Sequence, residues 1–381
     1  MKNIRTSFTN KHRDSWVEIN LGFLEENISN IKKYIKNAEN KNLLAVIKAD
    51  GYGHGSLMIA PVLLACGINS FGVASIDEGI ELRENKINCP ILVLGAVPVW
   101  AFEAALNYDI EVSVFNESHI ESLKMLYERT NKRLKVQVKV DTGMNRIGIN
   151  YKDAPMFINK LKNACYADLR GVFTHFADAE NSEILKMQTE RFNSVINKID
   201  TSGLKIHAQN SLGAFLIDDV RYNTIRLGIV IYGLTPLTEG LKPVCKIPPL
   251  KQLVSVKGRI TNIHTIEKGE GVSYGYNFTA IKETKVATIP IGYADGISRS
   301  LTGKIQGSLK GKLINQIGRI TMDQMMFDIT GIDANEGDII TILGYDDKNF
   351  LSVDKWAKIL GTVNYELTCR LKVRLPRIYI R

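Results

Sequence analysis

The chain has 381 residues, 45% hydrophobic and 23% charged, a composition that excludes a disordered protein and a length that calls for two domains, one of barrel size. Its 49 basic against 40 acidic side chains give a net charge of +9, but the basic residues are scattered singly, so we read a solubility charge and expect no nucleic-acid partner. Cys66, Cys89, Cys165, Cys245 and Cys369 are widely spaced without a CxxC pair, which argues against a disulfide framework or a zinc site and points to a reducing cytoplasm.

The start, Met1 to Trp16, is polar and lacks the apolar centre of a signal peptide. Leu21, Leu24, Ile28, Ile31 and Ile35 recur at helical spacing, and Leu43 to Ile47 then reads as a buried strand. Leu57 to Cys66 is helix-like, Phe71 to Ala74 strand-like, and Asp77 to Asn85 a charged helix; the apolar window Leu57 to Ala74 is broken by Pro61, Gly67, Asn69 and Ser70 and cannot span a bilayer. Further strands are expected at Ile91 to Leu94, Glu111 to Val114, Leu134 to Val140, Leu169 to Thr174, Lys205 to Ala208 and Thr224 to Ile229, with helices between most of them. Roughly eight βα units predict a (β/α)8 TIM-type barrel over residues 15–240. A doubly wound open sheet is the rival, but no GxGxxG follows a first strand.

After Pro236 the character changes. From Leu253 to Phe327, short β-branched runs alternate with turn signals such as Lys268-Gly269, Thr302-Gly303 and Lys310-Gly311, and helical periodicity returns only at Val353 to Leu360. Residues 241–381, together with 1–14, are expected to form a mostly β C-terminal domain, with the proline-bearing segment Gly233 to Pro249 as the boundary.

Barrel enzymes hold their sites at the carboxyl ends of the strands. The first strand ends in Lys48-Ala-Asp-Gly-Tyr52-Gly-His54-Gly55. Desolvation there lowers a lysine's pKa and frees its lone pair for a carbonyl, the requirement of a Schiff-base lysine, while the glycines admit a ligand close to the backbone. Taken alone, such a lysine is more often a snorkelling side chain before a βα loop. Later strand ends carry Lys139-Val-Asp141-Thr-Gly-Met-Asn-Arg146, His175, Asn210-Ser211 and Arg226-Leu-Gly228-Ile229. Each has a dull explanation singly, as a cap, a solvated arginine or a core histidine; their convergence on one rim argues for a site.

These strings, in this order, resemble the alanine racemase family along nearly the whole chain, from Trp16-Val-Glu-Ile to Pro376-Arg-Ile-Tyr379. The resemblance implies pyridoxal 5′-phosphate (PLP) bound through Lys48, with Tyr52, Ser211, the backbone of Gly228 and Ile229, and Tyr365 holding the phosphate. It places Asn210 in the cofactor site, Arg226 facing the pyridine nitrogen, His175 beside the ring, and Arg146 and Met322 at the substrate. It likens Lys139 to a family lysine that is carbamylated by carbon dioxide and positions the substrate arginine. Gly271-Val-Ser-Tyr274-Gly is the second signature: the family tyrosine reaches the partner's active site, which implies a homodimer with shared sites. Tyr293, Arg299, Arg319 and Asp323 match its substrate-entrance face.

Racemisation needs acid/base groups on both faces of the α-carbon, here Lys48 and Tyr274. A cationic His175 and nearby arginine are expected to help Tyr274 ionise. Arg226 would keep the pyridine nitrogen unprotonated and weaken the electron sink, which disfavours transamination. The implied reaction is interconversion of L- and D-alanine in the cytoplasm, supplying peptidoglycan. A PLP decarboxylase would want an acid where Arg226 stands, and a non-catalytic PLP-binding barrel would not need the second domain. A serine/alanine racemase of the vancomycin-resistance type, acting also on L- and D-serine, tends to carry asparagine at the Tyr365 position. His207-Ala-Gln-Asn-Ser and Phe176-Ala-Asp-Ala-Glu180 depart from the commoner family strings and bear on side-chain selectivity and the entrance. Lys2, Arg5, Lys11 and Arg13 make the start basic, either a remnant of a longer protein or a flexible beginning.

Overall fold

The computed structural model describes residues 12–237, 244–346 and 348–381. Most of the segment expected before residue 15, and the expected boundary at 240/241, lie outside the described residues. Among the described residues the first sheet has nine strands, eight of them parallel in ring order Thr224–Leu227, Asn42–Val46, Ser70–Val73, Ile91–Val93, Glu111–Val114, Leu134–Asp141, Ala167–Phe173 and Lys205–His207, with the short Ile149–Asn150 paired to Leu134–Asp141 off the ring. The ring nearly closes, and the Arg226 N–H donates to the Gln209 carbonyl at 3.2 Å across the remaining gap. This is the barrel the sequence predicts, with strand bounds differing by a residue or two.

Alternation builds its two layers. Leu43 and Ala45 point outward into the main core under the helices, while Leu44 and Val46 pack inside the barrel with Leu92 and Phe173. Helix Leu21–Tyr34 shows the expected stripe: Leu21, Leu24, Ile28 and Ile31 are buried, and the Asn20 side chain caps its start by accepting from Phe23 N–H.

The second sheet is mostly antiparallel, and the strand Ser15–Asn20 belongs to it. Ser15–Asn20 pairs antiparallel with Val254–Arg259 and parallel with Arg377–Ile380. Its alternating Val17 and Ile19 are buried there, so by pairing these six residues join the β sheet and not the barrel to which the expected boundary at residue 15 assigned them. Helix Val353–Leu360 forms as predicted, and a second helix, Asn364–Arg370, follows it unpredicted.

Candidate active site

A cavity of about 1120 Å³ opens at the carboxyl ends of the barrel strands. It gathers Lys48, Tyr52, Lys139, Arg146, His175, Asn210, Ser211, Arg226, Gly228, Ile229 and Tyr365. Tyr365 arrives from the unpredicted helix Asn364–Arg370, which lies against the barrel mouth.

Lys48 ends the first strand at a backbone reversal. Ala49, Asp50, Gly51 and Tyr52 all have φ between 52° and 62°, a left-handed turn that costs non-glycine residues roughly 1–2 kcal/mol each. Surrounding bonds hold it. Glu78 accepts the Ala49 N–H at 2.8 Å and the Ala74 N–H at 2.6 Å. His54 Nδ1 lies 2.9 Å from the Gly51 carbonyl and 3.0 Å from that of Tyr52, so Nδ1 carries the proton. At Gly53, φ +82°, a Cβ would sit 2.3 Å from the Thr368 carbonyl, which fixes glycine where the turn meets the last helix. Burial first, and then Arg146, lower the Lys48 pKa, against opposing pulls from Glu78 and Cys369.

Opposite the lysine, two hydroxyls and a glycine form a cradle. Ser211 Oγ accepts the Gly228 N–H at 3.0 Å, and a Cβ on Gly228 would lie 3.4 Å from that oxygen and 3.5 Å from the Tyr52 hydroxyl. Burial raises the Tyr52 pKa, so its phenol stays a donor. Its ring packs 5.1 Å from Tyr232 and edge-on, 6.2 Å from Tyr365.

Arg226, 3% exposed, donates to the carbonyls of Thr174, Ala208 and His207, to His207 Nδ1 at 2.8 Å and to His175 Nδ1 at 3.3 Å. Burial pushes it down to about 9, which leaves a cation at neutral pH. His175 is corrected here: burial, then Arg226, Lys139, Arg146 and Lys48, hold its pKa well below the ordinary value, so it is a neutral ring accepting from Arg226 and not the expected cation.

Lys139, 5% exposed, lies 4.5 Å from the Phe173 ring centroid. Burial, Arg226 and Arg146 push its pKa well below that of an ordinary lysine. Asp141 Oδ1 is taken by the Gly143 and Asn145 amides, and among the described residues no ion pair joins it to Lys139.

The remaining predicted residues lie elsewhere on this chain. Tyr274 is 72% exposed at the tip of the ribbon formed by Gly271–Val272 and Phe278–Thr279. Ser273, φ 66°, is tied there by its hydroxyl to the Arg319 carbonyl at 2.9 Å. Tyr293 N–H donates to the Thr321 carbonyl and Ala294 N–H to that of Met322, while Asp323 pairs with Arg374 at 2.6 Å. Arg299 is exposed nearby in the chain, on the turn Arg299–Leu301. None of these six lines the cavity of its own chain. Sequence reasoning missed Glu78, whose Ser75-x-x-Glu78 spacing is a capping-box signal, and Cys369, which lines the cavity without any motif of its own.

Two family profiles cover this arrangement: alanine racemase, N-terminal domain, over residues 19–236, and alanine racemase, C-terminal domain, over residues 253–379. The chain belongs to the alanine racemase family. It is 36% identical to an alanine racemase of Nostoc sp. over 379 residues, covering 96% of this chain and 95% of that protein. The alanine racemase structure from E. faecalis superposes with a TM-score of 0.91 at 31% identity, covering 98% and 100% of the two chains. That from Bacillus anthracis, described with bound L-Ala-P, gives a TM-score of 0.88 at 31% identity, covering 99% and 96%. The protein is therefore an enzyme, a racemase.

The residues present fit PLP. The Gly228 cradle with the Tyr52 and Ser211 hydroxyls suits a phosphate, the depressed Lys48 suits an aldehyde, and Arg226 supplies a fixed donor in the same cavity.

Proposed function

We propose that this racemase interconverts L- and D-alanine by a two-base reaction, with PLP held on Lys48 and Tyr274 supplied by a second copy of the chain. The observation that carries the reading is the convergence of a desolvated lysine, a glycine flanked by two hydroxyls and a buried guanidinium in one cavity. When bound, PLP supplies a delocalised sink for the electron pair left on the α-carbon. Lys48, its pKa lowered, removes or returns the α-proton on one face. Tyr274 does so on the other. Its 72% exposure at a ribbon tip leaves it free to enter a neighbouring copy's cavity. Arg226 donates a hydrogen bond and keeps its own proton. Arg146, exposed at the mouth, meets the substrate carboxylate, with Met322 of the second copy at the entrance beside it.

Lys139 is proposed to carry a carbamate: its neutral amine attacks carbon dioxide, the N–C bond forms as one C=O π pair moves onto oxygen, and the nitrogen releases a proton to water. The product is an anion that Arg226 and Arg146 attract, whereas their repulsion adds to burial in depressing the free amine. D-alanine for peptidoglycan, made in the cytoplasm, is the proposed role. Serine is a second substrate to test, because the Phe176-Ala-Asp-Ala-Glu180 wall lines the cavity. Purified protein with PLP is mixed with L-alanine and with L-serine separately and D-isomer formation followed. D-alanine forming faster is expected; no D-alanine would overturn the proposal.

A further inference from the structure

The barrel interior holds one unbroken polar chain running from the catalytic rim to the opposite end. Arg226 Nη1 lies 2.8 Å from His207 Nδ1, and His207 Nε2 lies 2.7 Å from Gln137 Oε1. The Gln137 amide nitrogen donates to Glu111 Oε2, and Glu111 Oε1 accepts from Lys205 Nζ at 2.9 Å. His207 and Gln137 are fully buried and Glu111 is 4% exposed. Glu111 opens the strand Glu111–Val114 and Lys205 the strand Lys205–His207, so both stand at the end of the barrel away from the cavity.

The direction of every bond is forced. A guanidinium only donates, so His207 Nδ1 bears the lone pair and Nε2 the proton. That proton goes to the Gln137 carbonyl, which turns its amide toward the carboxylate. Burial, then Arg226, Lys139 and Lys205, hold His207 well below its ordinary pKa, in keeping with a neutral ring. Among the described residues no carboxylate pairs directly with Arg226, and its bonds go to carbonyls and imidazoles. A buried charge lacking a direct counter-ion is costly, and a polarised hydrogen-bond chain ending in an anion compensates it.

We propose that Glu111 is a positioning residue for Arg226, acting through Gln137 and His207 as a remote counter-anion that orients the guanidinium toward the reaction site. The carboxylate strengthens the Gln137 acceptor, which makes the His207 Nδ1 lone pair a better partner for Arg226. This rests on the reading that Arg226 faces the bound cofactor.

The test uses the full-length protein labelled with ¹⁵N-histidine, with and without PLP. In the unaltered protein His207 is expected as the neutral Nε2–H form, with a strongly downfield proton resonance. E111Q keeps the shape and removes the charge. It should move that resonance upfield and lower kcat about tenfold, with KM for alanine changed less than about twofold. The exchange variant E111Q/Q137E places the carboxylate beside His207; it keeps His207 donating to position 137 and Lys205 donating to position 111, reverses only the bond between 111 and 137, and should restore both. A residue serving only to pack the barrel would leave the resonance in place in E111Q and gain nothing from the exchange. The idea is overturned if His207 carries its proton on Nδ1 in the unaltered protein, a result available even should E111Q fail to fold. It is also overturned if E111Q leaves the resonance unmoved. A moved resonance with unchanged kcat overturns the coupling to catalysis, whereas failure of the unaltered protein to racemise alanine tells against the function proposed for the site.

Discussion

Acid should loosen the Lys48 turn through His54. This imidazole is fully buried, stacks 4.6 Å from the Tyr232 ring, and has no hydrogen-bond partner at Nε2. A second proton would therefore sit on a nitrogen facing no acceptor, and burial, helped by Arg377, pushes the pKa from 6.5 down to about 4. The unfolded chain binds the proton near 6.5 and the folded chain only near 4, so stability is full above 6.5 and falls as pH drops through that window. The whole gap is worth about 3 kcal/mol, and about 2 kcal/mol of it is lost by pH 5. Urea unfolding of the protein and of His54→Gln, at pH 7.5 and pH 5 and one protein concentration, isolates this share. The glutamine cannot titrate, so its loss between the two pH values should be smaller by about 2 kcal/mol. Equal pH sensitivity in the two proteins would show that His54 does not titrate as argued. Because the same ring holds the Gly51 and Tyr52 carbonyls, PLP retention should weaken over the same range in the unaltered protein.

Lys48→Ala should abolish the borohydride-trapped PLP adduct, and an adduct on another lysine, found by peptide mapping, would sink the assignment. Tyr274→Phe should fold and bind PLP while racemisation slows roughly 10²–10⁴-fold. Mixing it with Lys48→Ala subunits should restore activity only if the two residues act from different chains, so no recovery after verified exchange refutes the shared site. Replacing Gly53 by alanine forces a Cβ to 2.3 Å from the Thr368 carbonyl at φ +82°, and the thermal midpoint should fall with PLP retention. Growth in ¹³C-bicarbonate should give a carbamate carbon resonance that disappears in Lys139→Gln; an unmodified amine at Lys139 in a well-resolved density map would count against it.

Much of this was legible in the chain because local pattern and final environment agree. Leu43 to Ile47 is apolar throughout since one face meets helices and the other fills the barrel. Strand Ser15–Asn20 alternates plainly, but the sheet it joins is set by partners far along the chain, which no window reports. Helix Asn364–Arg370 was missed because seven residues, with Tyr365 and Cys369 turned to the cavity, give too little periodicity. The charge of His175 was misjudged for another reason: only the fold brings Arg226, Lys139, Arg146 and Lys48 around one ring. Likewise, Glu111 and Lys205 look like ordinary surface charges in sequence, and only barrel closure pairs the buried carboxylate with the half-buried lysine.

The placement of Ser15–Asn20 between Val254–Arg259 and Arg377–Ile380 has a consequence for synthesis on the ribosome. The strand precedes the barrel in the chain, yet both of its neighbours are made after the entire barrel. Val17 and Ile19 cannot reach the pairing that buries them until the eight barrel strands have been made. The β domain can therefore close only after Arg377–Ile380 has left the ribosome, like a buckle fastened late in dressing. Helix Asn364–Arg370, which brings Tyr365 to the cavity, comes from that same final stretch. A chain truncated before it would hold a barrel lacking one wall of its site.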